Sequence, residues 1–373
     1  MKTLNHFFAP ILLGLLLTFC NQNKTIITRP SLKSVFTNDF LIGTALSANQ
    51  IEEKDSVADA LIREQFNVLT AENIMKSMFL QPAWGKFDFT LADKLVEYSK
   101  KNNMAVVGHT LIWHSQLPRY VYRITDKDSL KDFFTNHITT VASRYDGKIL
   151  GWDVVNEALN EDGTMRGSIF YKLLGEDYVT EAFRLAQQAA PNTELYYNDY
   201  NIEQPKKRAG AISLIKKIQE AGVRIDGVGI QGHWHARRIP LQEIEESIVE
   251  YASLGLKVMI TELDVELLPR NFTGADISER MKMKDDPTLN PYVSGLPDSV
   301  QQQLANDYEA LFKLFLKHKD SITRITFWGV NDGQSWLNGW PAPGRTNYPL
   351  LFDREFKPKP AFYKVIGTKE TLK

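Results

Sequence analysis

The sequence predicts an α/β fold, a single (β/α)8 barrel of the TIM type, on three observations. From Phe40 onward, short runs rich in β-branched and aromatic residues alternate with longer amphipathic runs, the pattern of repeated strand-then-helix units. Eight such strand-like runs can be counted, enough to close a barrel. Several are continuously apolar, as parallel strands covered by helices should be.

The strands are expected near residues 41–45, 67–70, 104–108, 149–155, 194–197, 227–230, 257–261 and 324–328. Between them, 128–143 and 301–317 each carry an apolar stripe at helical spacing with charges opposite, which predicts helices packed on the barrel. An open doubly wound sheet is the competing topology. Such sheets carry a Gly-rich phosphate turn after the first strand, and GTALSANQ offers none. There is no Pro/Ser-rich linker, low-complexity tract or near-identical repeat, so residues 21–373 are expected to form one domain. The longest gap, 268–297, separates strands seven and eight and is rich in Asn, Asp, Gly and Pro. It either shapes one flank of a cleft or is a passive surface excursion.

The chain has 373 residues, 43% hydrophobic and 24% charged, enough to bury a large core in a globular protein. A net charge of -1 and a pI near 6.7 provide no broad positive field, which argues against nucleic acid as a partner and for an uncharged substrate. A monomer is expected. At the N-terminus, Lys2 precedes the apolar run 7–19, too short to span a bilayer as a helix. Residues 1–20 therefore read as an export signal. Cys20, the only cysteine, excludes an internal disulfide. The segment LLLTFC resembles a bacterial lipobox, although Phe19 stands where a small residue is usual. Cys20 is expected to carry lipid and to be the sole membrane contact, making the chain a cell-envelope lipoprotein. An ordinary secreted protein and a buried free thiol are the alternatives.

Polar and aromatic residues gather after the strands. All seven tryptophans lie in expected strands or the loops that follow, as do His109, His114, His233 and His235. The carboxyl ends of barrel strands share one face, so these side chains are expected to converge on one opening. Flat rings beside hydrogen-bonding groups suit sugars, and core packing is the plainer alternative. Glu157 follows the fourth strand in GWDVVNEAL, and Glu262 ends the seventh in KVMITELDV. A lone acidic residue there is usually a helix cap or a solvated charge. Two together supply what glycosidic cleavage needs: an acid for the leaving oxygen and a carboxylate for the anomeric carbon.

The segments AENIMKSMFLQPAWGKFDF, VGHTLIWHSQLP, WDVVNEAL, YYNDYN, GVGIQGHW, ITELDV and TFWGVNDGQSWL together resemble glycoside hydrolase family 10, mainly endo-β-1,4-xylanases on a (β/α)8 barrel. The resemblance implies cleavage of xylan and xylo-oligosaccharides with retention, no cofactor and no metal. It implies Glu157 as general acid and base and Glu262 as nucleophile. His233 would bond the nucleophile, Asp264 would orient His233, Asn156 would bond the 2-hydroxyl of the sugar being cleaved, and Gln231 would lie close to Glu157. Ionised Glu262, with partial burial, should hold Glu157 protonated. Glu72, Asn73 and Lys76, with His109, Trp113 and Gln116, would grip sugars on the non-reducing side; a simple ion pair is the alternative for Lys76. Trp328 and Trp336 would wall the cleavage subsite, and Tyr200 would stack the leaving sugar. Three other readings stay open: a metal hydrolase using His233 and His235, a glycan-binding lipoprotein on the same fold, and activity on other β-1,4-glycans.

Overall fold

A computed structural model describes Met1 and residues 30–271, 274–281 and 287–369. Apart from Met1, the segment expected to be an export signal lies outside the described residues, Cys20 included. Eight parallel strands form the barrel: β1 (Leu41–Leu46), β2 (Val68–Ala71), β3 (Ala105–Trp113), β4 (Gly151–Asn156), β5 (Glu194–Asp199), β6 (Gly227–Ile230), β7 (Lys257–Glu266) and β8 (Ile322–Phe327). Each pairs with the next, and β8 returns to β1 with Leu41 opposite Arg324 and Thr44 opposite Phe327. The sheet has therefore closed, as eight alternating units require.

Two strands run further than their apolar stretches. β3 continues through His109 to Trp113, and β7 continues to Glu266, where a short strand His233–His235 pairs with Asp264–Glu266. Polar side chains inside the barrel mouth end the apolar run without ending the ladder. The helices match their periodicity, spanning Lys127–Arg144 and Asp298–Lys317.

Most of the core lies between strands and helices, and a smaller layer of Val68, Val107, Tyr196 and Met259 fills the barrel interior. On the outer face of β3, packing leaves no room for a side chain at Gly108, whose Cβ would stand 2.2 Å from the Trp152 ring. Trp152 itself points outward into the helix layer and is fully buried. Its neighbour Asp153 points the other way and meets His109 at 2.9 Å, as alternation along a strand dictates.

Candidate active site

Local backbone irregularities aim the two glutamates into the barrel mouth. Glu157 follows β4 with φ 57°, a left-handed conformation that a side-chain-bearing residue seldom adopts. Its N–H is tied to the Asn198 carbonyl at 2.9 Å. Glu262 sits where the β7–β8 register shifts between Ile260 and Leu263, an irregularity of the kind that re-aims a side chain.

Three amides join the carboxylates. Glu157 Oε2 accepts the Trp113 indole N–H at 2.8 Å. Its Oε1 accepts from Gln231 Nε2 at 3.1 Å and Asn156 Nδ2 at 3.2 Å. Glu262 Oε1 accepts from Asn198 Nδ2 at 2.8 Å, and that same Nδ2 donates to Asn156 Oδ1 at 2.9 Å. Thr261 Oγ1 donates to Asn198 Oδ1 at 2.6 Å and sets the orientation of the amide. Glu262 Oε2 lies 3.2 Å from Nε2 of His233, whose Nδ1 lies 3.0 Å from Asp264 Oδ1.

Burial and hydrogen bonding balance differently at the two carboxyls. Burial, the largest influence, raises Glu157; hydrogen bonds from Gln231 and Trp113 and the Arg166 charge oppose it, and the charge of Glu262 adds a smaller upward push. The repulsion expected from Glu262 is thus secondary to desolvation. Burial also pushes Glu262 up, but the His233 hydrogen bond, the nearby imidazoles and Asn198 outweigh it and leave this carboxyl below its ordinary value. For His233, burial opposes the proton, yet Asp264 and Glu262 prevail and raise it to about 10. One carboxyl with its pKa raised beside one with its pKa lowered is the arrangement that divides acid and base work.

Lys76 is held by neutral groups. Its Nζ donates to Gln116 Oε1 at 2.8 Å and Asn73 Oδ1 at 3.1 Å, and lies 4.7 Å from the Trp113 ring centroid. It makes no ion pair among the described residues, which sets aside that alternative. Burial lowers its pKa to about 8 against the charges of Glu262, Glu72 and Glu157, and burial raises Glu72. Trp328 packs edge-on to His109 at 5.3 Å, and Trp336 leans on His233 at 5.0 Å and stacks on Trp340 at 4.5 Å. The loop carrying Trp336 is anchored by buried Asp332, which accepts from Lys359 Nζ at 2.8 Å and the Leu350 N–H at 2.9 Å.

One cleft is lined by Glu72, Asn73, Lys76, His109, Trp113, Gln116, Asn156, Glu157, Gln231, His233, Glu262, Trp328 and Trp336. Asp264 stands behind His233. Tyr200 does not line this cleft. It is buried, with the Lys207 ammonium 3.6 Å from its ring centroid and Gly274 against its edge, and its hydroxyl accepts from Arg166 at 2.8 Å. The covering loop is held by the Arg166–Asp276 ion pair at 3.0 Å. That loop, part of 268–297, also places Ala275 and Ile277 in the cleft wall, so the gap between strands seven and eight flanks the cleft.

The convergence of all tryptophans and histidines does not hold. Trp152 faces the helices, Trp234 donates to buried Glu203 at 3.0 Å, and Trp84 lies on a separate groove. His235 lies within hydrogen-bonding distance of the Ala236 and Leu268 carbonyls, so it shares no partner with His233. Burial pushes His114 down to about 4, aided by Arg166. Alternation along β4 turns Trp152 away from the mouth, and Trp84 sits on a turn beyond β2. Asn198 and Arg166 are the site residues the sequence reading missed. Asn198 stands inside YYNDYN near the end of β5, so its strand-end position was a usable signal.

The family model for glycosyl hydrolase family 10 matches residues 31–368. The chain is 44% identical over 347 residues to "Endo-1,4-beta-xylanase A" of Xylanibacter ruminicola, covering 91% of this chain and 93% of that protein. It is 39% identical over 345 residues to "Endo-1,4-beta-xylanase" of Geobacillus stearothermophilus, covering 91% and 98%. Among solved structures, a GH10 endoxylanase retrieved from a sugarcane soil metagenome aligns with a TM-score of 0.85 and 41% identity, covering 91% of this chain and all of that one.

Proposed function

The chain belongs to glycosyl hydrolase family 10, and from that membership we propose that it is an endo-β-1,4-xylanase acting with retention. The observation that carries this reading is the amide lattice that joins a carboxyl whose pKa is raised to one whose pKa is lowered, at the floor of one aromatic-walled cleft.

In the first step Glu262 attacks the anomeric carbon as Glu157 gives its proton to the departing glycosidic oxygen, leaving a glycosyl ester on Glu262. In the second, Glu157 takes a proton from water, the resulting hydroxide adds to the anomeric carbon from the leaving-group side, and Glu262 departs as carboxylate. Esterification removes the Glu262 charge and with it one upward push on Glu157. Gln231 and Trp113 remain as donors to the carboxylate that must then form. His233, held cationic by Asp264, stabilises Glu262 before attack and on departure. Glu72, Asn73, Lys76, His109, Trp113 and Gln116 hold the non-reducing side, Asn156 meets the 2-hydroxyl, and Trp328 and Trp336 wall the cleaved sugar. A leaving sugar stacks on Tyr200 only when the loop at Gly274 moves aside.

Export and a lipid anchor on Cys20 form the second part of the proposal, supported by the Lys2, apolar run and Cys20 sequence pattern. The purified protein should release xylo-oligosaccharides from xylan and lose that activity in both Glu157→Ala and Glu262→Ala. Binding of xylan with no sugar released would favour a glycan-binding lipoprotein, and loss of activity in chelator would favour a metal hydrolase.

A further inference from the structure

Trp84 is left unexplained by the cleft. It occupies the corner of a hydrogen-bonded turn in which the Lys86 N–H donates to the Ala83 carbonyl at 3.0 Å and Gly85 takes φ 66°, the left-handed position such turns give to glycine. At 52% exposure its indole is among the most open large side chains of the barrel domain. It is nevertheless braced. Its ring meets Tyr120 edge-on at 5.7 Å, Tyr120 meets buried Phe133 edge-on at 6.0 Å, and the Tyr120 hydroxyl donates to the Gln81 carbonyl at 3.3 Å.

The indole borders a groove of about 800 Å³ that shares no residue with the catalytic cleft. Across it stands one face of helix Lys127–Arg144, with Asp128, Lys131, Asp132 and Asn136 at helical spacing. Among the described residues, the side chains of Asp128, Lys131 and Asp132 make no hydrogen bond or ion pair with another side chain. A braced flat ring on one wall and uncommitted donors and acceptors of both charges on the other match a pyranose, which offers an apolar C–H face and hydroxyl edges. The groove also lies on the same excursion after β2 that brings Glu72, Asn73 and Lys76 to the cleft.

We propose that this groove is a second carbohydrate site, taking a stretch of xylan chain remote from the bond being cut, with Trp84 as its stacking platform. It rests on the xylanase reading for the identity of the polysaccharide. It requires neither glutamate. Its effect is to hold the enzyme on polymer while short substrates, which reach only the cleft, are unaffected.

The test is native electrophoresis through gels containing soluble arabinoxylan, with Glu157→Gln present in every sample so that the gel is not digested. Turnover of an aryl xylobioside is measured in parallel with Glu157 intact. We expect Trp84→Ala to weaken retardation by about fivefold, and Trp84→Phe to retain most of it. Aryl xylobioside turnover and melting temperature should stay at the level of the unsubstituted protein. Equal retardation with and without Trp84, or no retardation at all, overturns the proposal. Retardation that depends on Trp84 in a protein that cleaves neither substrate would uphold the site and sink the xylanase reading instead.

Discussion

Trp336 donates its indole N–H to Asp264 at 2.8 Å, through the oxygen that does not face His233. One buried carboxylate therefore sets both a wall of the cleft and the charge of the imidazole beside Glu262. Geometry and electrostatics at this point meet in one side chain.

Asp264→Asn keeps an acceptor for Trp336 but withdraws the charge that lifts His233. His233 should then give up its proton well below its present value of about 10, and Glu262 should lose part of what holds it ionised. We expect kcat/KM to fall about 10- to 100-fold. The acidic limb of its pH profile should move upward, because activity is lost as pH falls through the Glu262 pKa. A profile with the same shape at lower amplitude would contradict this.

Trp113 acts on the opposite limb. Its N–H stabilises the ionised form of Glu157, and the attack step needs the protonated form. Activity on an aryl xylobioside is therefore lost as pH rises through the raised Glu157 value, and Trp113→Phe should shift that loss to higher pH. Movement to lower pH would mean that the hydrogen bond does not govern Glu157.

The same burial has a cost in stability. A carboxyl whose folded pKa is raised above its ordinary 4.5 contributes most below that value, and its contribution is lost as pH rises through the folded pKa. Glu157→Gln removes the ionisable group and should raise the melting temperature at pH 8, with little gain at pH 4. Calorimetry at the two pH values distinguishes this from a uniform packing effect.

The eight strands, the helices between them and the place of both glutamates were legible because hydrophobic period and strand-end position are local properties of the chain. What was not legible depended on tertiary packing. The continuation of β3 through His109 was hidden because polar residues inside a barrel mouth look like the start of a loop. Trp152 resembled a site residue until its neighbour Asp153 took the inward face. Tyr200 carried no mark of the Gly274 loop that covers it, since that contact spans more than seventy residues of chain. Asn198 was readable from its strand-end position, but its role as a bridge depends on where Asn156 and Thr261 end up.

Selectivity for a sugar without a hydroxymethyl group should reside in Trp336 and Gln116, both in the cleft wall. Gln116 is pinned at both ends, accepting from Lys76 and donating to Asn73 at 3.4 Å. Trp336→Ala should raise aryl cellobioside turnover relative to aryl xylobioside turnover, even though both fall with the loss of the bond to Asp264. An unchanged ratio argues against steric exclusion.

The division of labour between the glutamates is tested most directly by trapping the covalent state with an aryl 2-deoxy-2-fluoroxylobioside. This compound slows both steps but keeps a good leaving group, so the glycosyl ester accumulates. Peptide mapping by mass spectrometry should place the added disaccharide on Glu262, with Glu157 unmodified. An adduct on Glu157, or no adduct from a protein that hydrolyses xylan with inversion at the anomeric carbon, would contradict the assignment.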